Sequence, residues 1–214
     1  MHAYWIARWA LPLLLVAFVL VLMVWPVVRL RRETGAWAVT LHRETARGQR
    51  LVALAFLGIQ LAVVAFVAVY AVRGPAAVGA WDVPPVVVWL GLLLAFGGLA
   101  LVALAQRQMG ASFRIGIDDV ETPLVESGLF GVVRNPIFTG VLVLLAGVAL
   151  AVPCLWSILL WVAGATAVGR QTRLEERHLL AMHGDAYRAY AARVGRFLPG
   201  IGRLGHAPEV AKTR

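Results

Sequence analysis

The sequence predicts an all-α, polytopic membrane protein with five transmembrane helices and a cytosolic amphipathic helix near its C-terminal end. Of its 214 residues, 61% are hydrophobic and only 14% are charged, whereas a soluble domain is about half apolar. The mean hydropathy is +0.80, and the apolar residues form runs long enough to cross a bilayer of ~30 Å. The net charge of +9 comes from basic residues in loops and tail, which favours membrane lipid headgroups over nucleic acid as partners.

The first three predicted spans belong to one unit, residues 1–108. They cover approximately residues 4–28, 51–72 and 86–105. Tryptophans stand near both ends of span one, and Pro12 and Pro26 could bend or end its helix. This first run is too long and too poorly terminated for a cleaved signal peptide, so we expect it to be retained.

Two shorter apolar runs, residues 136–152 and 153–168, supply the fourth and fifth spans of a second predicted unit, residues 109–199. No polar loop separates the two runs, and Pro153 stands at their junction. A single helix through both would hold about 33 apolar residues, which is longer than the hydrocarbon layer requires. We therefore expect a tight helical hairpin at this proline.

The composition changes at Arg170, where a basic segment follows the apolar spans. Leucines and tyrosines recur there at helical spacing, which predicts an amphipathic helix outside the membrane core. Gly184 is expected to break this helix, and Pro199 with Gly200 to end it. Residues 200–214 form a predicted tail.

The basic residues also predict the orientation in the membrane. The loop after span one carries six basic residues, and the loop after span two carries one. Because basic loops stay on the cytoplasmic side, we expect the N-terminus outside and the C-terminus in the cytoplasm. The richness in alanine, valine, arginine and glycine is typical of a high-GC bacterial genome, so the expected location is a bacterial plasma membrane.

One stretch, LVESGLFGVVRNPIFTG at residues 124–140, interrupts the apolar pattern. Pro136 disfavours helical backbone at Asn135, so a helix is predicted to begin there with Asn135 as its N-cap. Backbone N–H groups and the positive end of the helix dipole would then favour a polar ligand beside Arg134. The alternative interpretation is a polar loop that re-enters the bilayer.

Two segments carry a family pattern, SGLFGVVRNPIFTG at 127–140 and EERHLLAMHGDAYRAYAARVGRFLP at 175–199. Together they resemble the isoprenylcysteine carboxyl methyltransferases and the related phospholipid methyltransferases, over about residues 109–199. The family pattern is roughly G-x-Y-x-x-x-R-H-P-x-Y-x-G, a helix pair, two glutamates and G-x-x-Y-x-x-Y. The resemblance implies a membrane methyltransferase that uses S-adenosylmethionine (SAM), releases S-adenosylhomocysteine (SAH) and acts on a lipophilic acceptor.

The resemblance also implies which residues bind the cofactor. They are Asp118, Thr122, Pro123, Leu124, Val125, Phe130, Asn135, Pro136, Ile137, Phe138 and Glu175. We add Arg134, which could face the cofactor, the substrate or a phospholipid headgroup. Aromatic rings suit the adenine or the sulfonium, and Glu175 suits the ammonium. A glutamate at a membrane surface is otherwise a solvated partner for a neighbouring arginine.

This sequence departs from the family pattern in the residues that face the ligands. Asn135 replaces the usual histidine, which removes a titratable ring but keeps a hydrogen-bonding cap. Phe130 and Phe138 replace tyrosines, so stacking is kept and two hydroxyls are lost.

The substrate-facing arginine of the family falls on Gln171, which makes Gln171, Arg170 and Arg173 the candidates for positioning the acceptor. A carboxylate acceptor is already ionised at neutral pH and needs no general base, and an arginine would align it. An amine, thiol or hydroxyl acceptor would need a base, for which Glu175 and Asp118 are candidates.

No metal is expected at this site. Cys154 is the only cysteine, and His178 and His183 have no third ligand at a suitable spacing. Two other functions stay open: a membrane reductase of the sterol C14 type that uses NADPH, and a non-catalytic lipid-binding membrane protein.

Overall fold

The computed structural model describes residues 2–34, 47–110 and 123–205. Within these ranges the helices are joined by turns and loops, and the only β-structure is two isolated β-bridges. The elements are α1 (His2–Val19), a π-helical turn (Leu20–Val24), α2 (Trp25–Thr34), α3 (Arg47–Arg73), a 3₁₀ turn (Pro75–Val78), α4 (Pro85–Met109), α5 (Leu129–Val132), α6 (Pro136–Ala151) and α7 (Leu155–Arg193). The predicted all-α class is confirmed.

Three stretches are long and apolar enough to cross a membrane by themselves, Tyr4–Arg29, Gly48–Arg73 and Pro85–Met109. They correspond to the first three predicted spans. The predicted fourth span is α6, an apolar helix of 16 residues, and the predicted fifth is the apolar first half of α7. The division of the chain at residue 108 stays a prediction.

The N-terminal helical stretch continues past both of its prolines. Because Pro26 has no N–H group, the carbonyl of Leu22 loses the donor that a regular helix would supply. The backbone responds with the π-helical turn just before Pro26. The Nε2 of Gln106 on α4 donates to the oxygen of Leu22 at 3.3 Å. The proline therefore modifies the helix without ending it, and the released carbonyl links this helix to α4.

Helices α4 and α6 pack through glycines spaced seven residues apart, Gly91 and Gly98 on α4 with Gly140 and Gly147 on α6. A Cβ added at Gly98 would lie 2.5 Å from the backbone nitrogen of Leu144. The two backbones are thus in direct contact, as is common for small residues at helix interfaces in membranes. We call this contact the glycine seam; it was not predicted.

The predicted hairpin at Pro153 is confirmed. Helix α6 ends at Ala151 and α7 begins at Leu155. The sulfur of Cys154 accepts from the backbone N–H of Ser157 at 3.4 Å, and the backbone N–H of Cys154 donates to Oγ of Ser157 at 3.2 Å. The single cysteine therefore caps the last helix while buried in the core.

The expected amphipathic helix is the direct continuation of the last span. Helix α7 runs without interruption across Arg170, and its backbone leaves helical geometry only at Gly184 (φ 53°, ψ −122°). The predicted break at this glycine is confirmed. Because the span and the polar segment form one helix, the residues around Glu175 are fixed relative to the membrane bundle.

Candidate active site

A cavity of about 550 Å³ lies between the membrane helices and the segment that precedes α6. This volume falls in the range of small-molecule sites. One part, the polar end, is lined by Pro123, Leu124, Val125, Phe130, Arg134, Asn135, Pro136, Ile137, Phe138, Gln171, Glu175, Leu179, Tyr187 and Tyr190. The other part, the apolar arm, is lined mainly by apolar side chains of α1, α3, α6 and the first half of α7.

All the predicted cofactor residues that the structure describes line the polar end, although they come from separate parts of the chain. Asp118 and Thr122 lie outside the described residues. Of the predicted substrate-positioning residues, Gln171 lines the polar end, whereas Arg170 and Arg173 are exposed and do not. The structure therefore brings the predicted residues together, and their roles in binding stay predictions.

The carboxylate of Glu175 is the acidic group of the polar end. It is half-buried, and its Oε1 accepts from Nε2 of Gln171, one helical turn earlier, at 2.9 Å. The glutamine thus holds one carboxylate oxygen in a fixed direction. A carboxylate held in this way at a partly dry site can bind a cationic group of a ligand.

Asn135 stands at the N-cap position of α6, as predicted, but its side chain does not cap the helix. Its Nδ2 and its backbone nitrogen both donate to the oxygen of Arg196, at 3.2 and 3.1 Å. Helix geometry leaves the backbone N–H groups of Ile137 and Phe138 without an intrahelical acceptor. Because both residues line the cavity, the start of α6 offers donors to a polar ligand group.

Glu176, next to Glu175, is not part of the cavity lining. Its Oε1 accepts from Nη2 of Arg134 at 2.8 Å, and its Oε2 accepts from Nη2 of Arg196 at 2.7 Å. The side chains of Arg134 and Glu176 are only 1% and 8% exposed. The hydrogen bond to Glu176 raises the pKa of Arg196. We call these three residues the buried ion cluster.

The guanidinium of Arg134 is fully used by the protein. Its Nε and Nη2 donate to Oε1 of Glu176, Nη2 also donates to the oxygen of Gly202 at 3.0 Å, and Nη1 donates to the oxygens of Ala191 and Val194. These bonds account for all five N–H groups of an arginine. The geometry therefore favours a positioning role for Arg134, which joins the start of α6 to the end of α7, over contact with a ligand.

Two tyrosines of α7 complete the polar end. Tyr187 and Tyr190 pack edge to face, with ring centroids 6.0 Å apart, and the hydroxyl of Tyr190 donates to the oxygen of Phe130 at 2.7 Å. Burial raises the pKa of Tyr190 to about 12 and also raises that of Tyr187. Both rings are thus neutral, and the hydrogen bond of Tyr190 fixes the backbone of Phe130 against α7.

Glu176 and Arg196 were not predicted from the sequence as functional residues. The two consecutive glutamates, Glu175 and Glu176, could have indicated a second polar site. Neighbouring side chains on a helix point about 100° apart, so only one of the two can face a given cavity and the other needs a different partner. The roles of the two glutamates require the position of Arg196, which lies beyond the end of α7. Among the described residues, no group of three or more histidine, cysteine, aspartate or glutamate side chains is placed to hold a metal ion.

The chain is similar to known methyltransferases in part of its sequence and in its fold. The family model of the phospholipid methyltransferases matches residues 86–186. In fold, the chain is similar to the eukaryotic intramembrane Ras methyltransferase ICMT (isoprenylcysteine carboxyl methyltransferase), with a TM-score of 0.50 and 19% sequence identity. The similarity covers 76% of this chain and 56% of that chain, so this chain spans little more than half of its length.

No curated protein sequence matches the chain. The family match nevertheless includes the start of α6 and most of α7, which carry most of the polar end; Tyr187 and Tyr190 lie just beyond it. The resemblance expected from two sequence segments is thus confirmed: this helical membrane protein resembles the phospholipid methyltransferases in sequence over residues 86–186 and ICMT in fold.

Proposed function

We propose that this protein is a SAM-dependent methyltransferase that methylates a lipophilic acceptor at the cytoplasmic face of a bacterial plasma membrane. One observation carries the proposal: a single cavity joins a polar end, which contains the predicted cofactor residues, to an apolar arm between membrane helices. A water-soluble cofactor and a lipid acceptor require these two environments side by side. The match of residues 86–186 to the phospholipid methyltransferase family model supports the reaction type, and the proposed orientation follows the distribution of basic loops.

The donor set of the polar end fits SAM. Glu175, held by Gln171, is suited to accept hydrogen bonds from an ammonium group, and the N–H groups at the start of α6 are suited to a carboxylate or ribose oxygen. Phe130 and Phe138 offer ring faces for an adenine or a sulfonium. When bound, SAM supplies an electrophilic methyl group, so the contribution of the chain is to hold both reactants in line.

The acceptor would place its hydrocarbon part in the apolar arm and its reactive atom at the polar end. Gln171 lines the cavity and is the predicted substrate-positioning residue that can contact the acceptor, since Arg170 and Arg173 lie outside the lining. A carboxylate acceptor, already ionised, needs no proton transfer. An amine, thiol or hydroxyl would give up its proton; of the two candidate bases, Glu175 lines the cavity, where it is also the proposed partner of the ammonium, and Asp118 lies outside the described residues.

Binding of labelled SAM to the detergent-purified protein tests the proposal. We expect saturable binding that SAH competes for and NADPH does not. Glu175→Ala should weaken binding about 10- to 100-fold, because a charge-assisted hydrogen bond is lost. The matched control is Glu126→Ala, which removes an exposed glutamate paired with Arg193 at 3.0 Å and should leave binding unchanged.

Competition by NADPH would instead support the reductase, and lack of saturable SAM binding would support a non-catalytic lipid-binding protein. Transfer of labelled methyl groups from SAM into a total bacterial lipid extract then identifies the acceptor. We expect one labelled lipid product, which the Glu175→Ala variant does not form at a comparable rate.

A further inference from the structure

One polar side chain lies deep in the apolar arm. The face of α3 that lines the arm carries Ala53, Phe56, Leu57, Gln60 and Val63, a spacing of three and four residues that marks one side of a helix. Gln60 is the polar exception among them. It stands near the centre of this 27-residue helix, which places it near the midplane of a bilayer.

The depth of Gln60 follows from helix geometry. Gln49, on the same face, lines the cavity close to the start of α3. The two glutamines are separated by eleven residues, which corresponds to ~16 Å along the helix axis. Gln60 therefore lies three turns deeper in the membrane than the glutamine at the entrance of the arm.

Gln60 differs from the other polar residue of the deep arm, Ser157. The hydroxyl of Ser157 is committed to the cap of α7, where it donates to the oxygen of Val152 at 2.8 Å. The side-chain amide of Gln60 makes no hydrogen bond to any of the residues that the structure describes. An amide without a partner in hydrocarbon costs several kcal/mol, and polar residues at this depth commonly serve a function.

We propose that Gln60 is a specificity-determining residue that hydrogen-bonds to an oxygen atom in the chain of the lipid acceptor, well below its reactive end. This proposal rests on the proposed function in that the acceptor occupies the apolar arm. An amide both donates and accepts, so a hydroxyl or a carbonyl on the chain would satisfy it. An unsubstituted hydrocarbon chain would leave it unpaired.

The test uses two probes, stearic acid and 12-hydroxystearic acid, which differ by one hydroxyl near the middle of the chain. Their affinities for the detergent-purified full chain are measured without SAM, so the result does not depend on cofactor binding. We expect the wild type to bind the hydroxylated acid about two- to tenfold more tightly, the value of one hydrogen bond. Gln60→Leu should abolish this preference and bind stearic acid at least as well as the wild type.

Thr166→Val is the matched control, because Thr166 is an exposed residue of α7 whose hydroxyl donates to its own helix at Val162. This variant should keep the preference. Equal binding of the two acids by the wild type would overturn the proposal, as would a Gln60→Leu variant that keeps the preference or loses affinity for both acids equally. Failure of both acids to bind would overturn it as well, while SAM binding would still test the proposed function separately.

Discussion

The glycine seam and the buried ion cluster connect helices in two different environments, and different forces stabilise them. Within the membrane, lipid tails are as apolar as the side chains, so helices associate through close backbone contact. At the polar end of the cavity, the start of α6 and the end of α7 are joined by the charges and hydrogen bonds of the buried ion cluster. The cavity adjoins the buried ion cluster through Arg134 and extends between α1, α3, α6 and α7. The comparison indicates that the glycine seam fixes α4 against α6, that the ion cluster fixes the start of α6 against the end of α7, and that the cavity lies beside these two contacts.

Among the substitutions considered, removal of the carboxylate from the buried ion cluster should lower the stability of the protein most. Glu176→Ala would leave Arg134 and Arg196 without their shared carboxylate, and breaking a buried pair costs about 3–5 kcal/mol. We expect a large fall in thermal stability of the purified protein, measured by unfolding in detergent. Because the cluster fixes the start of α6, SAM binding should be lost as well.

The control for this prediction is Glu126→Ala, since the pair of Glu126 with Arg193 is exposed and such pairs contribute about 0–1 kcal/mol. If Glu176→Ala were no less stable than Glu126→Ala, the cluster would not hold the start of α6 and the end of α7 together.

A single methyl group should disrupt the glycine seam. At Gly98 an added Cβ would lie 2.5 Å from the backbone nitrogen of Leu144, whereas at Gly97 it would meet nothing within 4 Å. Gly98→Ala should therefore destabilise the protein by about 1–3 kcal/mol or more through overpacking. Gly97→Ala should be neutral or stabilising by up to about 1 kcal/mol, because alanine is the better helix former.

Thermal unfolding of the two variants side by side measures this difference. The two glycines are neighbours on one helix, so composition and depth in the membrane are matched. Equal stabilities would show that the backbones of α4 and α6 do not touch.

A smaller effect is expected at the contact between α5 and α7. Tyr190→Phe removes the hydrogen bond to Phe130 and leaves a buried carbonyl unpaired, which costs about 1 kcal/mol. Since burial raises the pKa of Tyr190 from 10.0 to about 12, its contribution is complete below pH 10.0 and declines as the pH rises towards 12.

The phenylalanine variant should therefore lose less stability than the wild type over this alkaline range. Chemical unfolding at a series of pH values measures the difference. Parallel curves for the two proteins would contradict the raised pKa of Tyr190.

Features that depend on local sequence were predictable, and features that depend on distant partners were not. Pro136 and Pro153 determine where helices begin and end, so the start of α6 and the hairpin were correctly expected. The helix break predicted at Gly184 is also observed. The continuity of α7 was not expected, because the change of composition at Arg170 suggested a boundary that the backbone does not have.

In the candidate site, too, some features could be predicted from the sequence and others depended on distant residues. The family pattern led to the residues that line the polar end, but it could not separate the two consecutive glutamates. It also left open which group Arg134 faces, since its partners Glu176 and Gly202 lie far along the chain. The apolar arm and Gln60 were missed because a single glutamine in an apolar span has no local pattern that marks its direction.

The most direct test is to locate bound SAM by photochemical cross-linking. The purified protein is irradiated with SAM carrying a labelled methyl group, and the labelled peptides are identified with and without excess SAH. We expect label in residues 123–138 or 171–175, and its loss when SAH is present. Label confined to the membrane helix at residues 47–73, or saturable SAM binding that leaves both predicted segments unlabelled, would contradict a cofactor site between the start of α6 and α7.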